Sequence, residues 1–242
     1  MSTFTFICRL IFWLCLAAAP AALGQVTTNF TFNNVNLAIP EDNLYGVGNS
    51  QTITGVPGSI MNIQLSLDIA GTGYGVFNGD LYAELVNTQG GFAVLLNRVG
   101  MSSATPDGYY DNGFDVTFSD AAAYDIHFYQ NYPYVLNGGQ LTGTWQPDGE
   151  TINPENPDPS DYDNALENQT AMFSSFDGNS PNDTWTLSVA DLSSGGTGQI
   201  VSWSLEITTI PEIPEPKGIG FIAAGFVLHG WFRRLLRHVE HR

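Results

Sequence analysis

Two runs of strict alternation constrain this chain more than any other feature. In the first, Trp185, Leu187 and Val189 alternate with Thr184, Thr186 and Ser188. In the second, Val201, Trp203, Leu205 and Ile207 alternate with Ser202, Ser204 and Glu206. A period of two buries one face of a strand and wets the other. Leu192-Ser-Ser-Gly-Gly-Thr-Gly198 joins the runs and supplies positive-φ positions, so the pair reads as a hairpin. Each run carries one tryptophan on its apolar side, and each ring buries roughly 150–250 Å², which predicts that both share one core.

The same alternation recurs upstream. Met61, Ile63, Leu65, Leu67 and Ile69 form one face of a predicted strand, and Phe114, Val116 and Phe118 form another. Asp80–Leu85 and Phe92–Leu96 flank Gln89-Gly90-Gly91 as a hairpin, and Phe30 and Phe32 mark an entry strand. Gly 26 and 12% aromatics favour strands and tight turns over helices. The expected fold is all-β, a jelly-roll-like β-sandwich over residues 25–209.

The two ends read differently. Residues 1–24 have the pattern of a secretory signal peptide: Arg9, an apolar Leu10–Ala19 core, Pro20, and Ala22-Leu23-Gly24 as a small-x-small cleavage site. Residues 210–217 are a proline-rich linker. Residues 218–242 begin with the apolar run Gly218–Phe232 and end in a basic tail with Arg233, Arg234 and Arg237. The run spans about 22 Å as a helix, and snorkelling by Lys217 and Arg233 extends its reach towards a bilayer core of about 30 Å. A transmembrane helix is therefore expected, with its arginines cytoplasmic and the domain outside.

Charge narrows the function. Of 7 Lys+Arg, only Arg98 lies between Gln25 and Ile213, while all but Glu215 and Glu240 of the 24 Asp+Glu fall in that span. Such a domain repels phosphate backbones, which excludes nucleic acid as a partner. Both cysteines, Cys8 and Cys15, lie in the leader, so the domain holds no disulfide.

The stretch Phe176–Ile207 resembles the C-terminal signature of the P-domain, the β-sandwich that follows the catalytic domain in kexin- and furin-like proprotein convertases, and the resemblance covers roughly Asn36–Thr208. The resemblance rests on Phe176-Asp-Gly178, then Trp185-Thr-Leu187-Ser-Val189-Ala-Asp191, a Gly-rich turn and Trp203-Ser-Leu205. Asp183-Thr184 stands where that family prefers a glycine. Further matches are Ile39-Pro40-Glu41, Gly79-Asp80-Leu81, Asn97-Arg98, Thr117-Phe-Ser-Asp120 and Gly143-Thr-Trp145-Gln-Pro147, the last with Trp in the family's Tyr position. The acidic, Pro- and Asn-rich stretch 148–171 departs from the pattern and reads as a long surface loop. The resemblance is to the P-domain alone, which holds none of the convertase catalytic residues, so no family catalytic residue is carried over.

At the other end, Pro214-Glu215-Pro216, an apolar helix and an arginine cluster resemble the PEP-CTERM sorting signal of Gram-negative bacteria. That resemblance implies processing by an exosortase and delivery to the cell envelope or an exopolysaccharide matrix. The alternative is a plain tail anchor.

Catalytic signatures are sparse. His127 is the single histidine between residues 25 and 216, in Asp125-Ile-His-Phe-Tyr129, with no nucleophile motif nearby. It also lacks the imidazole or thiol partners of a zinc site. The Gly-x-Gly stretches open no helix, so they are not phosphate loops. Paired carboxylates for glycan chemistry remain open, because spacing selects no pair. Calcium is the plausible ligand, with Asp115, Asp120, Asp177, Asp183 and Asp191 at strand ends as candidates. The competing reading is that these aspartates cap turns. The expected protein is thus a non-catalytic exported module with a polysaccharide or protease partner. Its rivals are an accessory domain or subunit of a secreted subtilisin-like protease and a glycan-active enzyme.

Overall fold

The computed structural model describes residues 24–211 apart from residue 168, with side chains undescribed at 165–167 as well. The expected signal peptide, the sorting motif, the transmembrane helix and the basic tail therefore lie outside the described residues, save Gly24 and the start of the linker. Among the described residues no helix is long and apolar enough to cross a membrane.

Among the described residues eleven strands follow in order: β1 Val26–Phe32, β2 Leu37–Ile39, β3 Val47–Thr52, β4 Ser59–Thr72, β5 Leu81–Asn87, β6 Phe92–Asn97, β7 Gly113–Ser119, β8 Val135–Asn137, β9 Gln140–Trp145, β10 Thr184–Asp191 and β11 Thr197–Ile210. They form two sheets. The larger runs β1-β11-β4-β7-β9-β8, with β2 also paired to β11; the smaller runs β3-β10-β5-β6. The apolar faces meet in one core. Leu65, Leu67, Phe114, Phe118, Trp203 and Leu205 come from the first sheet, and Leu85, Leu95, Trp185 and Leu187 from the second, all fully buried or nearly so. The outer faces are stitched by hydroxyl pairs, such as Ser66–Thr117 at 2.9 Å and Ser50–Thr186 at 2.8 Å. The chain is thus a two-sheet β-sandwich, with both tryptophans in one core as the alternation predicts.

The expected hairpin between the tryptophan runs does not form. β10 pairs with β3 and β5, whereas β11 pairs with β1, β2 and β4. The connection after Asp191 crosses from one sheet to the other. Alternation specifies the buried face, not the neighbour that accepts the hydrogen bonds, so both arrangements satisfy the same pattern.

Two bulges also shift the predicted faces. Between Thr208 and Thr209 the β4–β11 register slips, so Ile60 is buried and Met61 is 39% exposed. Between Ile200 and Ser202 the register slips again, which buries Ile200 and leaves Val201 half-buried. An extra residue in one strand inverts the pleat beyond it.

One pairing is parallel, β7 with β9. A parallel pair cannot be joined by a tight turn. The crossover spans residues 120–139 and carries Asp125, His127 and an aromatic cluster over one end of the core.

Candidate functional site

The Asp125–Ile126–His127 segment enters the interior of the crossover. Asp125 is 3% exposed and His127 fully buried. Asp125 Oδ1 accepts the His127 backbone N–H at 2.6 Å, fixing the turn that aims the imidazole inward. His127 Nδ1 donates to Asp148 Oδ2 at 2.8 Å, and its Nε2 donates to the Met101 carbonyl at 3.0 Å. A carboxylate and a carbonyl only accept, so both ring nitrogens carry protons and the imidazole is a cation. Burial alone would lower its pKa. The Asp148 charge and hydrogen bond outweigh that and raise it to about 9. Tyr162 stacks on the ring at 5.2 Å and 6°, and Phe128 meets it edge-on at 4.6 Å.

Asp148 and Glu150 belong to the stretch expected to be a surface loop, yet both are fully buried. The correction has a local cause. Asp148 N–H donates to Leu95 O and Gly149 N–H to Val94 O, so the segment docks on β6 at the sandwich edge. Gly149 sits at φ +70°, and a Cβ there would lie 2.5 Å from Met172 Sδ. Only glycine makes that turn without strain. Tyr162, in the short 3₁₀ segment Pro159–Glu167, anchors the stretch as a fully buried apolar plug. Its hydroxyl donates to Asn97 Oδ1 at 2.9 Å, while Asn97 Nδ2 donates to the carbonyls of Glu150 and Ile152.

The polar accounting of this cluster does not close. Asp148 Oδ2 accepts from His127 and from the Asn97 backbone N–H, but Asp148 Oδ1 has no partner. Neither Glu150 Oε1 nor Oε2 has one. Burial, with the nearby Asp148 charge, pushes the Glu150 carboxyl up to about 8. The same two causes push Asp125 up to about 8, although both of its oxygens accept hydrogen bonds, Oδ1 from His127 N–H and Oδ2 from Gln169 Nε2.

The strand-end aspartates are scattered by comparison. Asp115 is exposed on β7, opposite Asp68 of β4. Asp120 accepts the backbone N–H groups of Phe173 and Ser174 at 3.2 and 2.9 Å. Asp183 accepts from Thr88, from Gln89 backbone and side chain, and from Thr184 N–H. Asp191 is 1% exposed and accepts Ser193 N–H at 3.3 Å. Asp177 is exposed, near Asp120. Three of the five therefore bind turn or strand-end N–H groups, as the turn-capping reading requires. Among the described residues no three His, Cys, Asp or Glu side chains are already gathered around a metal position. Pro214, Glu215, Pro216, Arg233, Arg234 and Arg237 lie outside the described residues.

Sequence reading found His127 but missed its setting. An aspartate two residues before the histidine was visible. The burial of Asp148 and Glu150 was not, because composition classed their whole stretch as solvated.

The chemistry open to His127 is restricted. Both of its nitrogens are donors to fixed acceptors and the ring has no exposure, so it cannot take a proton from a substrate or nucleophile as it stands.

The proprotein convertase P-domain family model matches residues 130–207. No curated protein matches the chain. Among solved structures, the Aeromonas sobria serine protease in complex with the chaperone ORF2 is 16% identical with a TM-score of 0.42, covering 83% of this chain and 29% of that one. The Aeromonas sobria serine protease by itself is 16% identical with a TM-score of 0.40, covering 83% of this chain and 30% of that one. This chain thus spans less than a third of either protease's length. What is matched by family is the later part of the sandwich, from the crossover through β11.

Proposed function

We propose that the chain is an exported, non-catalytic, P-domain-like sandwich that serves as an accessory module at the cell envelope or in an exopolysaccharide matrix, held there through the Pro214-Glu215-Pro216 sorting segment. The observation that carries the non-catalytic part is the state of His127, a charged donor locked to Asp148 and Met101, just before residues 130–207, which match the P-domain model. A convertase P-domain supports a protease and cuts nothing itself. The acidic surface, with Arg98 the sole Lys or Arg from Gln25 to Ile213, suits a solvated secreted surface and disfavours polyanionic partners.

The full chain is assayed on peptide and glycan panels and then expressed in an exosortase-positive Gram-negative host. We expect no turnover, and a mature C-terminus lacking Arg233–Arg242 by mass spectrometry. Turnover that His127→Gln abolishes would overturn the non-catalytic reading. An intact tail in that host would reduce the sorting segment to an anchor.

A further inference from the structure

We propose that Asp148 and Glu150 bind one hard divalent cation, of the calcium type, enclosed beneath the 148–171 segment. Three observations lead there. The first is the orphaned oxygens: Asp148 Oδ1, Glu150 Oε1 and Glu150 Oε2 are buried without a hydrogen-bond partner. An unpaired buried carboxylate is among the most costly groups a fold can hold, and native interiors pair such groups or give them a metal.

The second is the imbalance of groups. Asp125, Asp148 and Glu150 are three buried carboxyls around one buried basic side chain, His127, which is committed to Asp148 and to the Met101 carbonyl. A divalent ion would supply the positive charge that the cluster lacks, which a water molecule cannot. Arg98 is the only lysine or arginine in the described residues; its NH2 group donates to Ser193, its Nε is buried without a partner, and the carboxyls its charge acts on are Asp80 and Asp191.

The third is chemistry. The unused donors are carboxylate oxygens, the donor type hard cations select. A zinc-type site would need imidazole or thiolate donors, and the His127 nitrogens are both spent. Calcium's remaining positions would be filled by carbonyl oxygens and water, so three converging acidic side chains are not required. The site differs from Asp120, Asp183 and Asp191, which already accept hydrogen bonds, and from Asp115 and Asp177, which are exposed.

Because the cluster is closed to solvent, the ion exchanges only when the 148–171 segment opens. The full chain is therefore unfolded and refolded in chelator, then equilibrated with calcium and passed through gel filtration. We expect one calcium to be retained per chain, with a higher melting temperature than in chelator. Glu150→Gln makes the decisive variant, since Glu150 loses no side-chain hydrogen bond in the substitution. In chelator it should melt above the parent, because an uncompensated carboxylate is gone; its calcium affinity should fall roughly tenfold or more. A purely structural Glu150 would not produce those opposite signs. Asp183→Asn, altering a turn clamp, should retain calcium.

Terbium supplies a second readout on the parent chain, through emission sensitised by Tyr162 and reduced in Tyr162→Phe. Coincident melting curves with no retained calcium overturn the proposal. So does calcium bound equally well by Glu150→Gln. If that variant does not fold, terbium emission displaced by calcium upholds the site, and its absence rejects it.

Discussion

Trp203 of β11 donates its indole N–H to Asn49 Oδ1 of β3 at 2.9 Å, across the gap between the two sheets. Gln51 Nε2 donates to the same oxygen at 2.9 Å through its neighbouring position on β3. Trp203 also packs against Phe32 at a ring distance of 4.5 Å. A single residue therefore joins the apolar core, the entry strand β1 and a polar tie between sheets.

Trp203→Ala should cost about 3–5 kcal/mol, because its 1% exposure means the removed ring leaves a cavity. Trp203→Phe keeps most of the ring but loses the donor. Its hydrogen-bond loss should cost about 1 kcal/mol, near the low end, since Gln51 still satisfies Asn49. Urea denaturation of the two variants separates the packing contribution from the tie.

His127→Gln removes the cation from a fully buried pair and leaves Asp148 uncompensated. Breaking a buried pair from one side costs about 3–5 kcal/mol. Equilibrium unfolding should show a loss of that size. Replacing the pair together, His127→Gln with Asp148→Asn, should recover part of it, as a double-mutant cycle would measure.

Gly149→Ala should destabilise by about 1–2 kcal/mol through the left-handed backbone alone. The new Cβ also meets Met172 Sδ, a flexible side chain that can move aside. Thermal melting tests the loss, and calcium retention should weaken with it, because Gly149 sets the turn between the two proposed ligands.

Asp191 gives a pH dependence. Burial, reinforced by the Asp80 and Glu41 charges and opposed by Ser193 N–H and Arg98, raises its carboxyl to about 7. In this window the folded chain binds a proton that the unfolded chain, with a value near 3.8, has released. Stability contributed at this site is therefore greatest at low pH and falls as pH rises from about 4 to about 7. Melting in chelator between pH 4.5 and 8 should show the decline, and Asp191→Asn should make the slope shallower. An unchanged slope would mean that the carboxyl titrates as an ordinary one.

The truncation of residues 213–242 should leave the melting temperature unchanged, since every named core residue precedes Pro211. It should also release the protein from the envelope into the periplasm or medium, and fractionation with immunoblotting reads the shift.

Alternation in the sequence determined which residues of β7 and β10 face inward, because side-chain direction on a pleat is a local property. It also determined the β5–β6 hairpin, whose turn at Gln89-Gly90-Gly91 lies between directly paired strands. The single histidine of residues 25–216 and the near absence of Lys and Arg there were legible too, and they spoke against the commonest catalytic and nucleic-acid readings. Only the tertiary structure decided that Trp185 and Trp203 approach the core from opposite sheets, since pairing partners are set by contacts distant in sequence. Only it decided that Ile60 and Ile200 replace Met61 and Val201 inside, because each strand carries one unpaired residue, Met61 on β4 and Val201 on β11, and where it bulges depends on the partner strand. And only it placed Asp148 and Glu150 in the interior: their stretch is polar on average, but Gly149 turns it, β6 binds its backbone, and Tyr162 anchors it by burying one ring, contacts that no local composition encodes.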